Sequence, residues 1–315
     1  MPAVLPVRYG TVFSPSKSRS GRSFRLAAAV FLLLPAVLPL SAASPVLKVG
    51  LMPAVDSAPA LLAEKLGYFD REGVSVELVV FPNATERQVA LQAGAVDGAM
   101  TDLVAFVYNV QGGFDLRITS STDGSFPFLV RPGFPETRKA TVAMMEVSVS
   151  NYLADAWLAG RYEVEKVFIT DIPARLEMIK RGKVDMACLP EPIASMGQLA
   201  GLEKRVFENK DDFYPDVMVF TVPAVSAKRD AVAAYHRAVD RAVADIRADP
   251  ALARGVLVER LRLDPRVRDI MVLPEYRPTR LPSREYLAKV SGWIAGLQGK
   301  AVTLDWGRYL LDTSR

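Results

Sequence analysis

The sequence predicts an α/β fold of two like lobes, each a mainly parallel sheet flanked by helices, joined by two extended hinge strands. Three observations carry this. Strand and helix signals alternate from residue 46 to residue 100, the same alternation returns from residue 141, and two matching segments occupy the same point of both runs. Those segments are Gly94-Ala95-Val96-Asp97-Gly98-Ala99 and Gly182-Lys183-Val184-Asp185-Met186-Ala187, 88 residues apart. Strands alternating with helices imply parallel pairing through right-handed crossovers.

The elements follow in order. Val46 to Leu51 is a short apolar run with β-branched content. Asp56 or Ser57 can cap a helix that opens at Pro59 and stops at Gly67. Val74, Val76, Leu78 and Val80 alternate with Ser75 and Glu77, which is the period of a half-buried strand. Thr85-Glu86-Arg87-Gln88 has capping-box spacing and opens a helix that ends at Gly94. Val96 to Met100 is the third strand. In the second run, Thr141 to Val147 is a strand, Ser148, Ser150 and Asn151 mark a helix start, and Asp171-Ile172-Pro173 opens the next helix. Asp97 and Asp185 take structural roles at strand starts. Phe126 to Val130 and Val217 to Thr221 are the two strands expected to cross between lobes and to bend near Phe128 and Val219. Val232, Tyr235, Val239, Ala242 and Ile246 form one helical core stripe; Leu287, Val290, Ile294 and Leu297 form another.

The chain has 315 residues and a formal charge of +4, which invites a nucleic-acid or membrane reading. The location of the charge argues otherwise. Arg8, Lys17, Arg19, Arg22 and Arg25 precede a 15-residue apolar run from Leu26 to Leu40 and the small residues Ser41, Ala42 and Ala43. This is the order of a secretory signal peptide, and the run is short of the roughly 20 residues of a membrane span. Removing those five from the 39 basic residues leaves 34 against 35 acidic ones, so no basic surface for nucleic acid is expected. Cleavage is expected after Ala43, with no lipoprotein cysteine there. The expected organisation is a signal peptide over 1–43, a first part of lobe 1 over 44–128, lobe 2 over 129–221, and completion of lobe 1 with C-terminal helices over 222–315.

One cysteine, Cys188, and one histidine, His236, exclude a disulfide framework, a thiolate metal site and His-cluster chemistry. Cys188 lies in an apolar run and is expected buried and inert; His236, beside Arg237, is expected exposed. No glycine-rich nucleotide loop is present, and neither a metal nor a cofactor is expected.

Leu47-Lys48-Val49-Gly50-Leu51, Leu61 to Phe69 with its Leu66-Gly67-Tyr68-Phe69 ending, and Glu72-Gly73-Val74 to Val79 resemble the start of the nitrate, taurine, sulfonate and thiamine-precursor binding proteins of ABC importers. Ala90 to Asp102 and Arg175 to Pro192 extend the resemblance over nearly all of the chain beyond residue 43. It implies a type II periplasmic-binding-protein fold, a periplasmic monomer that closes on a small molecule, and delivery to a membrane permease with a cytoplasmic ATPase. The membrane would be met only through the permease.

In such folds ligands sit outside the carboxyl ends of the strands, where helix N-termini offer free N–H groups. The candidate binding residues there are Asp56, Ser57, Thr85, Thr101, Asp102, Thr122, Phe126, Ser150, Asn151, Tyr152, Asp171, Glu191 and Tyr214. Ser57, Thr85, Ser150 and Asp171 can equally be plain helix caps. These loops carry several carboxylates and neither Arg nor Lys, so the expected ligand is neutral or cationic, such as a thiamine-precursor pyrimidine, rather than a bare anion. The alternatives are an enzyme on the same fold, of lyase, dehydratase or pyrimidine-synthase type, and a solute receptor without a transport role.

Overall fold

The computed structural model describes residues 46–135, 138–207 and 216–313. The proposed signal peptide and Tyr214 lie outside the described residues. The strands are β1 (Leu47–Leu51), β2 (Val76–Val80), β3 (Gly98–Asp102), β4 (Leu116–Thr122), β5 (Phe128–Val130), β6 (Lys139–Met144), β7 (Glu163–Phe168), β8 (Met186–Cys188), β9 (Glu203–Arg205) and β10 (Asp216–Thr221). They form two five-stranded sheets, β2-β1-β3-β10-β4 and β7-β6-β8-β5-β9. In the first, β1 pairs in parallel with β2 and β3, while β10 runs antiparallel between β3 and β4. The second repeats the plan: β6 is parallel to β7 and β8, and β5 is antiparallel between β8 and β9.

The repeated plan explains the matching segments. Asp97 precedes β3 and accepts the Lys48 N–H of β1 at 2.7 Å and the Lys228 ammonium at 2.7 Å. Asp185 precedes β8 and accepts the Thr141 N–H of β6 at 2.9 Å, the Thr141 hydroxyl at 2.8 Å and the Arg131 guanidinium at 2.8 Å. Each aspartate therefore ties the first parallel strand of its sheet to the third and takes one cation. At Asp185 burial works against the ionised form, but the Thr141 N–H, Arg131 and the Thr141 hydroxyl outweigh it and hold the carboxyl below its ordinary value. Its stabilisation is thus present above about pH 4 and lost as pH falls through the lowered value. Asp185→Ala should cost about 2–3 kcal/mol at pH 7, read by urea unfolding, and noticeably less at pH 3.

Helices α1 (Ala58–Lys65), α2 (Tyr68–Arg71), α3 (Ala84–Gln92), α4 (Leu103–Gln111), α5 (Val149–Leu158), α6 (Ile172–Lys180) and α7 (Ile193–Leu199) fill the crossovers. After β10 come α8 (Val222–Ala227), α9 (Arg229–Ala248), α10 (Ala251–Arg260), α11 (Val267–Ile270), α12 (Arg284–Gln298) and α13 (Trp306–Tyr309). The start of α3 differs from expectation. Asn83 is its cap, accepting the Glu86 N–H at 2.9 Å and donating to the Glu86 carboxylate at 2.8 Å. The box is Asn83–Glu86, and Thr85 sits exposed in the first turn.

The hinge strands also differ. Phe128 pairs with Cys188 and Arg205 inside the second sheet, and Val219 pairs with Ala99 and Ile118 inside the first. The chain passes between sheets at 123–127 and is back in the first sheet at β10. β10 therefore lies in the first sheet, although the expected boundary at 221 gave it to lobe 2; a return strand looks the same in sequence whichever sheet receives it. Close packing accompanies its insertion: a Cβ on Gly98 would meet the Phe220 ring at 2.3 Å and the Val219 carbonyl oxygen at 2.6 Å.

The C-terminal stripes pack as expected up to Ile294; Leu297 is exposed. His236 corrects the expectation for it. It is buried beside Tyr235 on α9, because that helix lies over the first sheet. Trp293 of α12 reaches the second lobe, donating to Asp155 at 2.9 Å and standing edge-to-face on Tyr152. No helix among the described residues is long and apolar enough to cross a membrane.

Candidate functional site

A cavity of about 80 Å³ lies between the two lobes at the carboxyl ends of the parallel strands. The first lobe supplies Met52 to Ala54 after β1, Asp56, Arg87 of α3, and Met100, Thr101 and Asp102 of β3; Asp216 opens β10. The second lobe supplies Met145, Ser148 to Ser150 at the start of α5, and Ile172 and Arg175 of α6. Phe126 enters from the crossing segment.

Arg87 and Arg175 are the central finding. Each is the fourth residue of its helix, 88 residues apart like the two aspartates, and each is at least 95% buried. The Arg87 guanidinium donates to Thr101 Oγ1 at 3.0 Å, and Arg175 donates to the Cys188 carbonyl at 2.9 Å. The Nε of each has no hydrogen-bond partner among the described residues. The charges acting on the pair differ. Asp102, Asp216 and Asp56 surround Arg87, whereas Asp171 is the carboxylate that acts on Arg175.

The carboxylates are strained electrostatically. Burial pushes Asp56 up to about 7, with its own backbone N–H and Arg87 opposing. Burial and then the proximity of Asp56 and Asp102 raise Asp216 well above its ordinary value. Asp102 is raised by burial, although it caps α4 through the Ala105 N–H at 2.8 Å. Crowded buried carboxylates cannot all ionise beside one guanidinium, so one or more holds a proton near neutral pH.

Of the residues singled out from sequence, Asp56, Thr101, Asp102, Phe126 and Ser150 line this cavity. Thr122 lies on a smaller cavity beside Asp56. The others have different work. The Ser57 hydroxyl donates to the Met52 carbonyl at 2.6 Å. Thr85 faces outward. The Asn151 amide donates to the Glu146 carbonyl and accepts from Lys166, both at 2.8 Å. Tyr152 packs on Trp293, and Asp171 is an exposed cap on the Ala174 N–H at 2.8 Å. Glu191 is fully buried and spoken for: it accepts from Lys204 at 2.7 Å, the Ser195 N–H at 3.0 Å and the Val272 N–H at 3.1 Å. Arg87, Arg175 and Asp216 join the site without having been expected there. The 88-residue repeat held the signal for both arginines, since it aligns them as well as the Val-Asp pairs.

The single cysteine and histidine are both quiet. Burial drives the Cys188 thiol up to about 12. His236 bridges the hydroxyls of Thr119 at 2.9 Å and Thr279 at 3.3 Å, and burial drops its pKa to about 3. A buried neutral histidine binds its proton more weakly than in the unfolded chain. It therefore withdraws stability, up to about 5 kcal/mol, as pH falls from about 6.5 to 3. His236→Gln should flatten the stability profile over that window, measured by thermal unfolding at half-unit pH steps.

The two sheets, their matched topology and the cleft between them define a two-lobed periplasmic-binding-protein fold. Residues 41–126 match the model of the NMT1-like family, which supports the resemblance read from the sequence. No curated protein matches the chain significantly by sequence. Among solved structures, the chain is similar to the ligand-binding component of an ABC-type import system from Staphylococcus aureus, with TM-score 0.73, 14% identity, and 85% of this chain and 97% of that one covered. It is similar also to the alkanesulfonate-binding protein SsuA from Xanthomonas axonopodis pv. citri (TM-score 0.68, 16% identity, coverage 86% and 100%). A third is the periplasmic aliphatic sulphonate binding protein SsuA from Escherichia coli (TM-score 0.69, 18% identity, coverage 85% and 93%). At these identities the likeness is one of fold.

Proposed function

We propose that the chain is an extracytoplasmic solute-binding protein that captures a small organic molecule between its lobes and delivers it to the permease and ATPase of an ABC importer. The observation that carries the reading is the convergence of buried polar atoms without partners among the described residues. Asp56 Oδ1, Arg87 Nε, Arg175 Nε and Asp216 Oδ2 all belong to residues of the cavity, and they come from both lobes. Orphaned buried polar groups are rare and costly in a purely structural core, and a ligand entering between the lobes would satisfy them. The quiet Cys188 and His236 supply no nucleophile or general base, which favours binding over catalysis.

The ligand is an organic molecule, neutral or cationic, with N–H donors for the carboxylates; a heteroaromatic amine such as a thiamine-precursor pyrimidine fits. The premise that the site lacks arginine is corrected by Arg87 and Arg175. Three carboxyls, at least one of them protonated, against two guanidinium groups leave the cleft near neutral, so the preference for an organic ligand rests on the acceptors the carboxyls offer its N–H groups, and Arg175 asks for an acceptor on the ligand as well. Closure would bend the crossing segment at 123–127.

Isothermal calorimetry with 4-aminopyrimidines, taurine and nitrate tests the ligand class, and small-angle scattering tests closure. Micromolar or tighter binding of an aminopyrimidine, with compaction, is expected. Tight nitrate binding would overturn the ligand class, and a bound ligand without compaction would overturn the closing mechanism.

A further inference from the structure

The two arginines of the cleft occupy matching places in the repeat but face unlike surroundings. Arg87 stands among Asp56, Asp102 and Asp216, all brought to the cavity from the first sheet and its loops. With one of these carboxyls protonated, the first-lobe wall still carries more negative charge than positive. Arg175 is the one charged side chain that the described residues of the second lobe bring to the cavity. It is only 3% exposed, and its single hydrogen-bond partner among the described residues is the Cys188 carbonyl oxygen at 2.9 Å. Asp171 acts on it from the exposed cap of α6, where its carboxylate already accepts the Ala174 N–H at 2.8 Å. The N-terminus of α5, at Ser148 to Ser150, adds partial positive charge to the same wall.

A buried guanidinium without a buried counter-ion is strongly unfavourable. At the matching place in the first lobe the chain supplies that counter-ion three times over, so its lack at Arg175 belongs to the site and not to the repeat. The two walls thus have opposite imbalances. A ligand that corrects both carries an anionic acceptor at one end and a cationic N–H donor at the other. A planar carboxylate matches the guanidinium fork with two parallel hydrogen bonds, and it is a more basic acceptor than a sulfonate. At roughly 10–15 Å³ per water-sized group, the cavity of about 80 Å³ holds about five to eight heavy atoms.

We infer that the solute is a small zwitterionic aminocarboxylate, held with its carboxylate on Arg175 of the second lobe and its ammonium against the carboxyls of the first. The assignment rests on the cleft being the solute site and names the chemistry of the solute. It also gives the two arginines separate work. Arg87 is the counter-ion of the first-lobe carboxyls, and Arg175 selects the acid of the ligand.

Calorimetry with glycine, β-alanine and 4-aminobutanoate tests this against propanoate, which has only the acid, propylamine, which has only the amine, and taurine, the sulfonate counterpart of β-alanine. At least one aminocarboxylate should bind about a hundredfold more tightly than propanoate and propylamine, and about tenfold more tightly than taurine. Arg175→Met should weaken that aminocarboxylate about a hundredfold and leave propylamine within about threefold. Its unliganded form should unfold at the parent's temperature or above at pH 8. Arg87→Met should instead lower the unfolding temperature by about 5 °C or more, because three buried carboxyls lose their counter-ion. Propanoate or propylamine binding within tenfold of every aminocarboxylate, taurine binding as tightly as any of them, or undiminished aminocarboxylate binding by Arg175→Met would overturn the inference. The ligand series in the parent protein decides the matter even where a variant fails to fold. If 4-aminopyrimidine binds and no aminocarboxylate does, the inference falls and the cleft remains the solute site. If no compound binds, 4-aminopyrimidine included, the cleft reading falls with it.

Discussion

Asp56→Asn should unfold at a higher temperature than the parent protein at pH 8 and bind its ligand at least a hundredfold more weakly. Both effects have one cause. Burial raises the Asp56 carboxyl to about 7, with Asp123 adding repulsion and Arg87 only partly compensating. In the unfolded chain the group ionises near 4, so from about pH 4 to 7 the folded state holds a proton that the unfolded state has released. A raised carboxyl contributes stability at low pH and loses it as pH rises through the folded value. At pH 8 the ionised Asp56 therefore works against the unliganded fold by about 2–4 kcal/mol, and an uncharged amide of the same shape removes that opposition. The gain should shrink at pH 6 and vanish at pH 4. The binding loss follows because an amide cannot provide the ionised acceptor that a donor-bearing ligand needs, and removing one member of a buried charged pair costs several kcal/mol. Thermal scans at pH 4, 6 and 8 with parallel calorimetry check both halves. A variant less stable than the parent at pH 8 would show that Asp56 serves the fold rather than the ligand. Sites that weaken the empty protein while strengthening the complex are a known form of the trade between stability and function.

The fold was legible where periodicity and repetition agree. The alternating run Val74 to Val80, the helix stopped at Gly67, and the paired Val96-Asp97 and Val184-Asp185 segments each depend on neighbours in sequence or on an internal copy. The site was legible where a polar residue stands at or just beyond the carboxyl end of a strand, as with Thr101 and Asp102 at the end of β3 and Asp56 in the loop after β1. Two physical reasons explain the rest. Arg87 and Arg175 stand on first helical turns, not in loops, and reach the cleft with long side chains; an inventory of loops passes over them. Glu191 looks free in sequence because its partners are Lys204, 13 residues on, and the N–H of Val272, 81 residues on. His236 reads as exposed from its neighbour Arg237, yet α9 presents a face wide enough to bury Tyr235 and His236 together against the sheet. Thr85 illustrates a smaller error. Two polar residues could begin α3, and the choice fell to Asn83 because its side chain both accepts from and donates to Glu86.

Lys204→Met should cost about 3–5 kcal/mol and should loosen the arrangement of the lobes. The ammonium of Lys204 and the carboxylate of Glu191 are nearly inaccessible, at 5% and 0% exposure, and lie 2.7 Å apart. Lys204 also donates to the Ser195 hydroxyl at 2.9 Å and to the Ile270 carbonyl at 2.6 Å. Removing it leaves the Glu191 carboxylate buried with only the N–H groups of Ser195 and Val272, and leaves the Ile270 carbonyl with the Ser195 hydroxyl at 3.2 Å. A well-packed pair of neutral residues avoids the uncompensated charge, so Glu191→Gln combined with Lys204→Met should recover more than half of the loss. The location gives the pair a second consequence. Glu191 and Lys204 come from the second lobe, Ile270 and Val272 from the C-terminal segment, and the Glu191 carbonyl accepts the Val55 N–H of the first lobe at 3.0 Å. Lobe opening about 123–127 would have to pull these bonds apart. The unliganded Lys204→Met protein should accordingly show a larger radius of gyration than the unliganded parent. A loss below about 1 kcal/mol by urea unfolding would show that the pair is dispensable. A full loss with an unchanged radius would assign it to the second lobe's own stability, with the hinge governed elsewhere.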